Sequence, residues 1–301
     1  VFNEAEVVTE TVRRLTAVLD PLPESWELVF VNDGSRDATL DILQSLAAGD
    51  GRLRVLDLSR NFGHQAAISA GMDHARGQAV VVIDADLQDP PELIPAMLQK
   101  WREGWDVVYG KRVSRRGEGW FKKASAALFY RFLRVMTDVD IPLDTGDFRL
   151  LDRAVVEVMR SLPEQNRFIR GLVSWAGFHQ TAIEYERQAR FAGTTKYPLR
   201  KMIRFAMDAV TGFSHKPLKI ASWLGFVLSA ASFAYLIGVV IQRIFFADTT
   251  TPGWASMVAV SLFFNGVVLI ILGILGEYLG RIYDETKRRP LYVVRQPRQP
   301  R

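Results

Sequence analysis

"VVVIDADLQDPPEL", Val80 to Leu93, opens as an unbroken apolar run and closes in acid. Val80–Ile83 suits a strand buried on both faces, the kind found inside parallel sheets. Asp84, Asp86 and Asp89 then fall within six residues. Asp89 precedes Pro90 and Pro91 and reads as a cap, because proline is tolerated in the first turn of a helix. Asp84 and Asp86 differ. At i and i+2 on a strand end, both can turn toward one cation as the chain leaves the sheet, and without a cation they repel. Oxygen-only ligation suits Mg²⁺ or Mn²⁺, which keep waters and share substrate phosphates.

The surrounding sequence repeats this strand-then-helix rhythm up to about Asp152. Apolar runs at Glu27–Asp33, Leu53–Ser59, Ala79–Asp86 and Asp106–Arg112 alternate with helical patterns at Glu4–Leu19, Thr39–Ala48, Gln65–Ala75 and Pro91–Glu103. This alternation predicts a mostly parallel sheet with helices on both faces. Ligands of such sheets bind beyond the carboxyl ends of the strands. Asp33, in "VNDGSRDAT", stands at such an end, where its carboxylate can accept hydrogen bonds from a base or ribose. Asp37 reads as the cap of the next helix. Residues from about Trp120 to Arg160 look helical, interrupted by "DVDIPLDTGDF", where Pro142 and Gly146 predict a loop. Residues Tyr185–Tyr197 also read as a loop.

The C-terminal third is different in kind. Pro198–His215 is a basic amphipathic pattern, expected to lie at a membrane interface. Ile220–Phe246 and Ala255–Leu279 are apolar runs of about 27 and 25 residues, where a span needs roughly 20. The connecting "ADTTTPG" has no Lys or Arg. Lys216, Lys219, Arg281, Lys287, Arg288 and Arg289 flank the outer ends, which predicts cytoplasmic placement of the first domain and the C-terminus. Gly273, Gly276 and Gly280 are candidates for close helix packing. The expected division is 1–197, a catalytic domain; 198–219, the interfacial helix; 220–280, two spans; and 281–301, a basic tail.

The 301 residues carry a net charge of +5 and no cysteine. The charge suits phosphates, nucleic acid or an anionic membrane, and the missing thiols exclude disulfides and cysteine nucleophiles. The chain opens at Val1 inside "VFNEAE", with no signal-peptide pattern and a first strand expected to be cut short. His64, in "NFGHQAA", reads as a helix-start or packing histidine. Lys111, Arg112, Arg115, Arg116, Lys122 and Lys123 form a basic run, readable either as a solvated loop or as a contact for lipid head groups or diphosphate.

"VFNEAE", "VNDGSRDAT", "NFGHQAA", "DADLQDPPEL" and "DTGDFRLLDR" occur in this order ahead of two spans. Together they resemble the family 2 glycosyltransferases that charge a polyprenyl phosphate. The resemblance implies a GT-A fold, a nucleotide-sugar donor, a polyprenyl phosphate acceptor, contact with membrane lipids, no nucleic-acid partner and a homotetramer in the cytoplasmic membrane. It implies that Asn3 and Glu4 lie near the nucleotide, with Asp33 on the uracil or ribose. Asp84 and Asp86 would form the D-x-D motif holding Mg²⁺ or Mn²⁺. Gln88 and Lys111 or Arg112 would lie by the donor phosphates. Asp147 and Asp144 would face the sugar or acceptor, and Arg190 and Lys196 would grip the acceptor phosphate. The expected reaction is inverting transfer of glucose from UDP-glucose. GDP-mannose, UDP-galactose, a UDP-N-acetyl sugar or a UDP-4-amino-arabinose derivative are the alternative donors. A non-catalytic sugar-nucleotide or lipid-phosphate binding protein is the alternative of a different class.

Overall fold

The computed structural model describes residues 1–113, 145–186, 214–245 and 253–295. Asp144, Arg190, Lys196, Arg115, Arg116, Lys122, Lys123 and most of the expected interfacial helix lie outside them.

The strand-then-helix rhythm folds as expected. The order is α1 (Val8–Leu19), β1 (Leu28–Asn32), α2 (Thr39–Gly49), β2 (Leu53–Asp57), α3 (His64–His74), β3 (Ala79–Val82), α4 (Ile94–Arg102) and β4 (Val107–Arg112). A single 3-10 turn, Pro91–Leu93, leads into α4. β1 and β2 pair in parallel, Leu28 opposite Leu53 through Asn32 opposite Asp57. On the other edge of β1, the Val1 ammonium donates to Val31 O at 2.8 Å and Asp33 N donates to Val1 O at 3.0 Å.

The next stretch corrects the expected loop. β5 (Thr145–Asp152) is a strand that includes Gly146 and is buried along nearly all its length. It lies between β3 and β4, antiparallel to both, and β6 (Gln180–Tyr185) pairs in parallel with β4. The sheet is therefore mixed. The reason is burial: "TGDFRLLD" occupies the centre of a four-stranded sheet, where backbone pairing outweighs a turn-prone Thr-Gly-Asp. α5 (Arg153–Ser161) and α6 (Ile169–Trp175) follow β5. Asp152 caps α5, accepting from Ala154 N at 2.8 Å, and its other oxygen accepts from Trp101 Nε1 at 2.7 Å.

Period-2 alternation sends side chains of β4 and β5 into two cores. Val108, Phe148 and Leu150 pack with α1, α2 and α4. Val107 and Leu151 pack with Met72 of α3 and with α5 and α6. The β4–β5 register shifts between Tyr109, opposite Arg149, and Lys111, opposite Thr145. The extra residues of this bulge lie at Gly146–Phe148. Bulges often re-aim a side chain beside a functional site, and Asp147 sits in this one.

α7 (Lys216–Phe245) and α8 (Trp254–Thr286) have 30 and 33 residues. At 1.5 Å per residue they run about 45 and 50 Å, longer than a hydrocarbon core of about 30 Å. Both contain a window long and apolar enough to cross a membrane, with mean hydropathy 1.3 and 1.8. Trp223, Phe226, Leu269 and Ile270 stand open on their surfaces. Lys216–Lys219, assigned above to the interfacial helix, form the first turn of α7. Among the described residues, a Cβ added at Gly273, Gly276 or Gly280 would meet nothing within 4 Å beyond the helix's own nearby backbone, so no close packing within the chain is seen at these glycines.

The outer part of α8 contacts both the segment just before α7 and the first domain. Tyr278 Oη donates to Ser214 O at 2.6 Å. Gln165 N donates to Glu285 Oε1 at 2.8 Å, and Gln165 Nε2 to Arg289 O at 2.7 Å. The segment beyond α8 then docks on the open edge of β2. Val294 bridges Leu58, Ser59 N donates to Val293 O, and Arg295 N donates to Asp57 O. Part of the expected basic tail thus forms an isolated antiparallel bridge beside β2.

Candidate active site

The site lies where β1, β3, β4 and β5 present polar residues. At the end of β3, Thr11 Oγ1 of α1 donates to Ala85 O at 2.9 Å and pins the turn. Leu87 follows with φ +57° and is 4% exposed. A left-handed leucine costs roughly 1–2 kcal/mol, offset here by its burial. This kink turns the chain between Asp86 and Gln88, and Gln88 N donates to Asp86 Oδ1 at 3.1 Å.

Asp84 keeps 35% of its side chain open, with Oδ1 3.9 Å from His64 Nε2. Burial, assisted by the neighbouring carboxylates Asp147, Asp86 and Asp89, raises its pKa, and His64 offsets this in part. Among the described residues, no three His, Cys, Asp or Glu side chains gather as a ready-made metal cage. Asp84 and Asp86 are the pair that could hold a divalent cation. They fit one that takes its other ligands from water and substrate, because their donors are all oxygen and burial with neighbouring carboxylates disfavours the unaccompanied charge of Asp84.

Asp147 is built in the opposite way. It is 4% exposed. Arg170 of α6 grips it bidentately, Nε to Oδ1 at 2.8 Å and Nη2 to Oδ2 at 3.0 Å, and also donates Nη1 to Thr145 O at 2.9 Å. His64 Nε2, at the first residue of α3, lies 2.8 Å from Asp147 Oδ2. Burial alone would raise the Asp147 pKa. The hydrogen bonds from His64 and Arg170 outweigh it and hold the carboxyl far below its usual range. The same bond raises the His64 pKa against the pull of burial. Half of the His64 side chain, 51%, is open to solvent, so water moderates that shift without reversing it. Arg149, wholly enclosed nearby, donates Nη2 to Gly146 O at 3.0 Å. Burial lowers its pKa to about 10, while Asp147 supports its charge.

Residues 1–160 match the family described as Glycosyl transferase family 2. The chain belongs to this family. It is 57% identical to the glycosyltransferase YkcC of Bacillus subtilis (strain 168), over 98% of this chain and 91% of that protein. It is 46% identical to the glycosyltransferase sll0501 of Synechocystis sp., over 97% and 92% respectively. It is 40% identical to the bactoprenol glucosyl transferase of Shigella phage SfV, over 99% and 97%.

In this family 2 glycosyltransferase, the structure gathers some of the expected residues and re-reads others. Asp33 is 4% exposed, and its two oxygens accept from Phe62 N at 2.7 Å and Gly63 N at 3.0 Å. It therefore fixes the loop that delivers His64. Asn3 Oδ1 accepts from Arg36 N at 2.8 Å, and Glu4 N donates to Thr39 Oγ1 at 2.9 Å. Asp37 is not the N-cap of α2: Ala38 holds that position, without a side-chain cap bond, and Asp37 stands one residue earlier, accepting from Thr39 N at 3.1 Å and, on its second oxygen, from Ala5 N at 3.2 Å.

The alternation of β4 separates Lys111 from Arg112. Lys111 Nζ donates to the exposed Glu184 at 2.7 Å, whereas Arg112 lies against Asp89 and Tyr185. Asp89 is not a helix cap: neither the 3-10 turn nor α4 has a side-chain cap bond. It is a carboxylate 1% exposed, drawn inward by Arg112 and Tyr185. His64 does start a helix, but it also faces Asp147 and Asp84, so the packing interpretation was incomplete. Arg170, Arg149 and Tyr185 were missed. Arg170 and Tyr185 come from elements distant in sequence, whereas Arg149 stands on β5 two residues from Asp147; nothing in "NRFIRGLVSW" separates Arg170 from an ordinary surface arginine.

Proposed function

We propose that this glycosyltransferase transfers a hexosyl group, glucose from UDP-glucose, to a polyprenyl phosphate such as undecaprenyl phosphate, with inversion. The observation that carries this reading is one continuous arrangement. A carboxylate pair faces a cluster of fixed arginines, in a domain hydrogen-bonded through Gln165 to the outer end of α8, one of two membrane-length helices. The relative named bactoprenol glucosyl transferase supports the acceptor class.

A divalent cation held by Asp84 and Asp86, Mg²⁺ or Mn²⁺, would supply Lewis-acid neutralisation of the leaving diphosphate. The chain's own residues do the rest. Arg112 presents unpaired guanidinium N–H groups to the donor phosphates, with Gln88 beside them. Asn3, Glu4 and Asp33 order the loops around the nucleotide. Asp147 acts through its neighbours: it holds Arg170 and His64 in place along the wall facing the sugar. Arg190, Lys196 and Asp144 complete the reading on the acceptor side. A phosphate monoester is already anionic at neutral pH, with a second pKa of about 6. No residue therefore has to deprotonate the nucleophile. The task is to bring two anions together, which preorganised cations do well in a water-poor cleft. One direct displacement gives a β-linked product from an α-linked donor.

The Lys and Arg residues flanking the two helices support a catalytic domain on the cytoplasmic side of the membrane. A homotetramer belongs to the same reading, and the mass of the detergent-solubilised complex tests it. For activity, purified enzyme is supplied with UDP-glucose, Mg²⁺ and undecaprenyl phosphate. Release of UDP that requires both cation and lipid, with β-linked glucosyl lipid formed, is the expected result. Hydrolysis without lipid, or no turnover with any of a panel of UDP- and GDP-sugars, would overturn it.

A further inference from the structure

Among the described residues, Arg112 is held along one edge only. Its Nε donates to Tyr185 Oη at 3.1 Å and its Nη2 to Asp89 Oδ1 at 3.3 Å. The Tyr185 hydroxyl donates to the same Asp89 oxygen. A guanidinium has five N–H donors; these contacts use two and leave three. Asp89 is 1% and Tyr185 6% exposed, whereas the Arg112 side chain is 28% exposed. A buried acid and a buried phenol thus grip the inner edge of an arginine whose outer edge is open. Burial, assisted by Asp89, raises the Tyr185 pKa to about 12, so the hydroxyl keeps the proton it donates.

Two glycines make room for this arrangement. A Cβ on Gly110 would lie 2.8 Å from Tyr185 Cε1 and 3.1 Å from Phe148 Cδ1. A Cβ on Gly146 would lie 2.5 Å from Arg112 Nη2 and 3.1 Å from its Cζ. Neither glycine has a positive φ, so space rather than backbone conformation calls for the missing side chain. The arrangement also carries a cost. Asp89 Oδ2 is buried with no hydrogen-bond partner, and a buried acceptor left unpaired destabilises the fold. Packing alone therefore does not explain Asp89; what it holds does.

We propose that Asp89, Tyr185 and Gly146 are positioning residues that aim the open edge of Arg112 at the donor diphosphate. This inference rests on the reading that Arg112 meets that diphosphate. Gly146 is the sharpest probe, because the atom an alanine would strike is the far end of a flexible side chain. The fold can yield by moving the guanidinium while the rest of the sheet stays put.

The test compares Gly146→Ala, Tyr185→Phe, Arg112→Gln and the double variant Gly146→Ala/Arg112→Gln in the full-length, detergent-solubilised enzyme. Measurements are the donor KM, the lipid KM, kcat and the thermal midpoint. Gly146→Ala is expected to keep the wild-type midpoint and lipid KM while its donor kcat/KM falls by about tenfold or more. Tyr185→Phe should lose less, since Asp89 still holds Nη2. In the Arg112→Gln background, Gly146→Ala should add nothing further, as expected for residues acting through one group. If Arg112→Gln impairs donor use but neither Gly146→Ala nor Tyr185→Phe does, the positioning role falls and the diphosphate contact stands. If Arg112→Gln leaves donor kinetics unchanged, the diphosphate reading itself falls. Should Gly146→Ala fail to fold, the donor kinetics of Tyr185→Phe decide.

Discussion

The end of β3 and the start of β5 both bring carboxylates to one cleft, and they do so by opposite means. Asp84 stands partly open among other acids, and its pKa is raised by burial and by their charge. Asp147 is enclosed, gripped on both oxygens by Arg170 and touched by His64, and its pKa is depressed. Environments that push two carboxylates apart in this way give them different tasks. The surroundings of Asp84 favour an added positive charge, which a cation and substrate could supply. Asp147 has its demand met from within the chain, and it organises the wall of the cleft instead.

The largest effect should come from the β3 side. Asp86→Asn is expected to lower kcat by about 10³-fold or more, with an unchanged thermal midpoint, read as glucosyl lipid formed. Near-normal turnover would remove the metal role from this pair. On the β5 side, stability is the readout. Asp147→Asn strips the counter-charge from Arg170 and Arg149, and breaking a buried pair costs about 3–5 kcal/mol. The thermal midpoint should fall by on the order of 10 °C; a fall of a degree or less would mean that the buried arginines do not depend on Asp147.

The contrast extends to pH. Asp147 has a lowered folded pKa, so its stabilising effect is present above the ordinary carboxylate range and is lost as pH falls toward that depressed value. His64 has a raised folded pKa, so its contribution is full below the ordinary histidine value of about 6.5 and is lost as pH rises through the folded one. The midpoint difference between wild type and Asp147→Asn should therefore be greater at pH 6 than at pH 9. In a His64→Gln background that difference should no longer vary across this window. The smallest effect belongs to Asp84→Asn. A raised carboxylate pKa means that the ionised form costs stability in the folded state, so the amide should raise the thermal midpoint slightly while activity falls. A drop in the midpoint would make Asp84 and Asp147 alike and break the comparison.

The same pair of regions shows what could be read from the chain. Val80–Ile83 followed by Asp84 and Asp86 is local: an apolar run ends and two acids follow, so strand, turn and site are legible together. "DTGDFR" carries equally local signals, and they mislead. Thr-Gly-Asp has turn chemistry, yet β4 pairs with Thr145 and β3 and β4 together enclose Arg149–Leu151, so the segment becomes the start of an inner strand. Asp89 misleads for a related reason. Asp-Pro-Pro is a helix-start pattern, but Arg112 and Tyr185 draw the carboxylate inward, and both are remote in sequence.

The sequence by itself determined the alternating strands and helices, the two apolar spans, the family resemblance and the acidic pair after β3. These depend on periodicity, composition and short-range order, which are properties of neighbours along the chain. Only the tertiary structure decided that β5 runs antiparallel at the centre of its sheet and that Arg170 and His64 converge on Asp147. It likewise decided that Arg112 is gripped along one edge, and that the segment after α8 folds back onto β2. Those outcomes depend on which distant groups satisfy one another once water is excluded, and a buried charge takes the partner that the fold brings within reach.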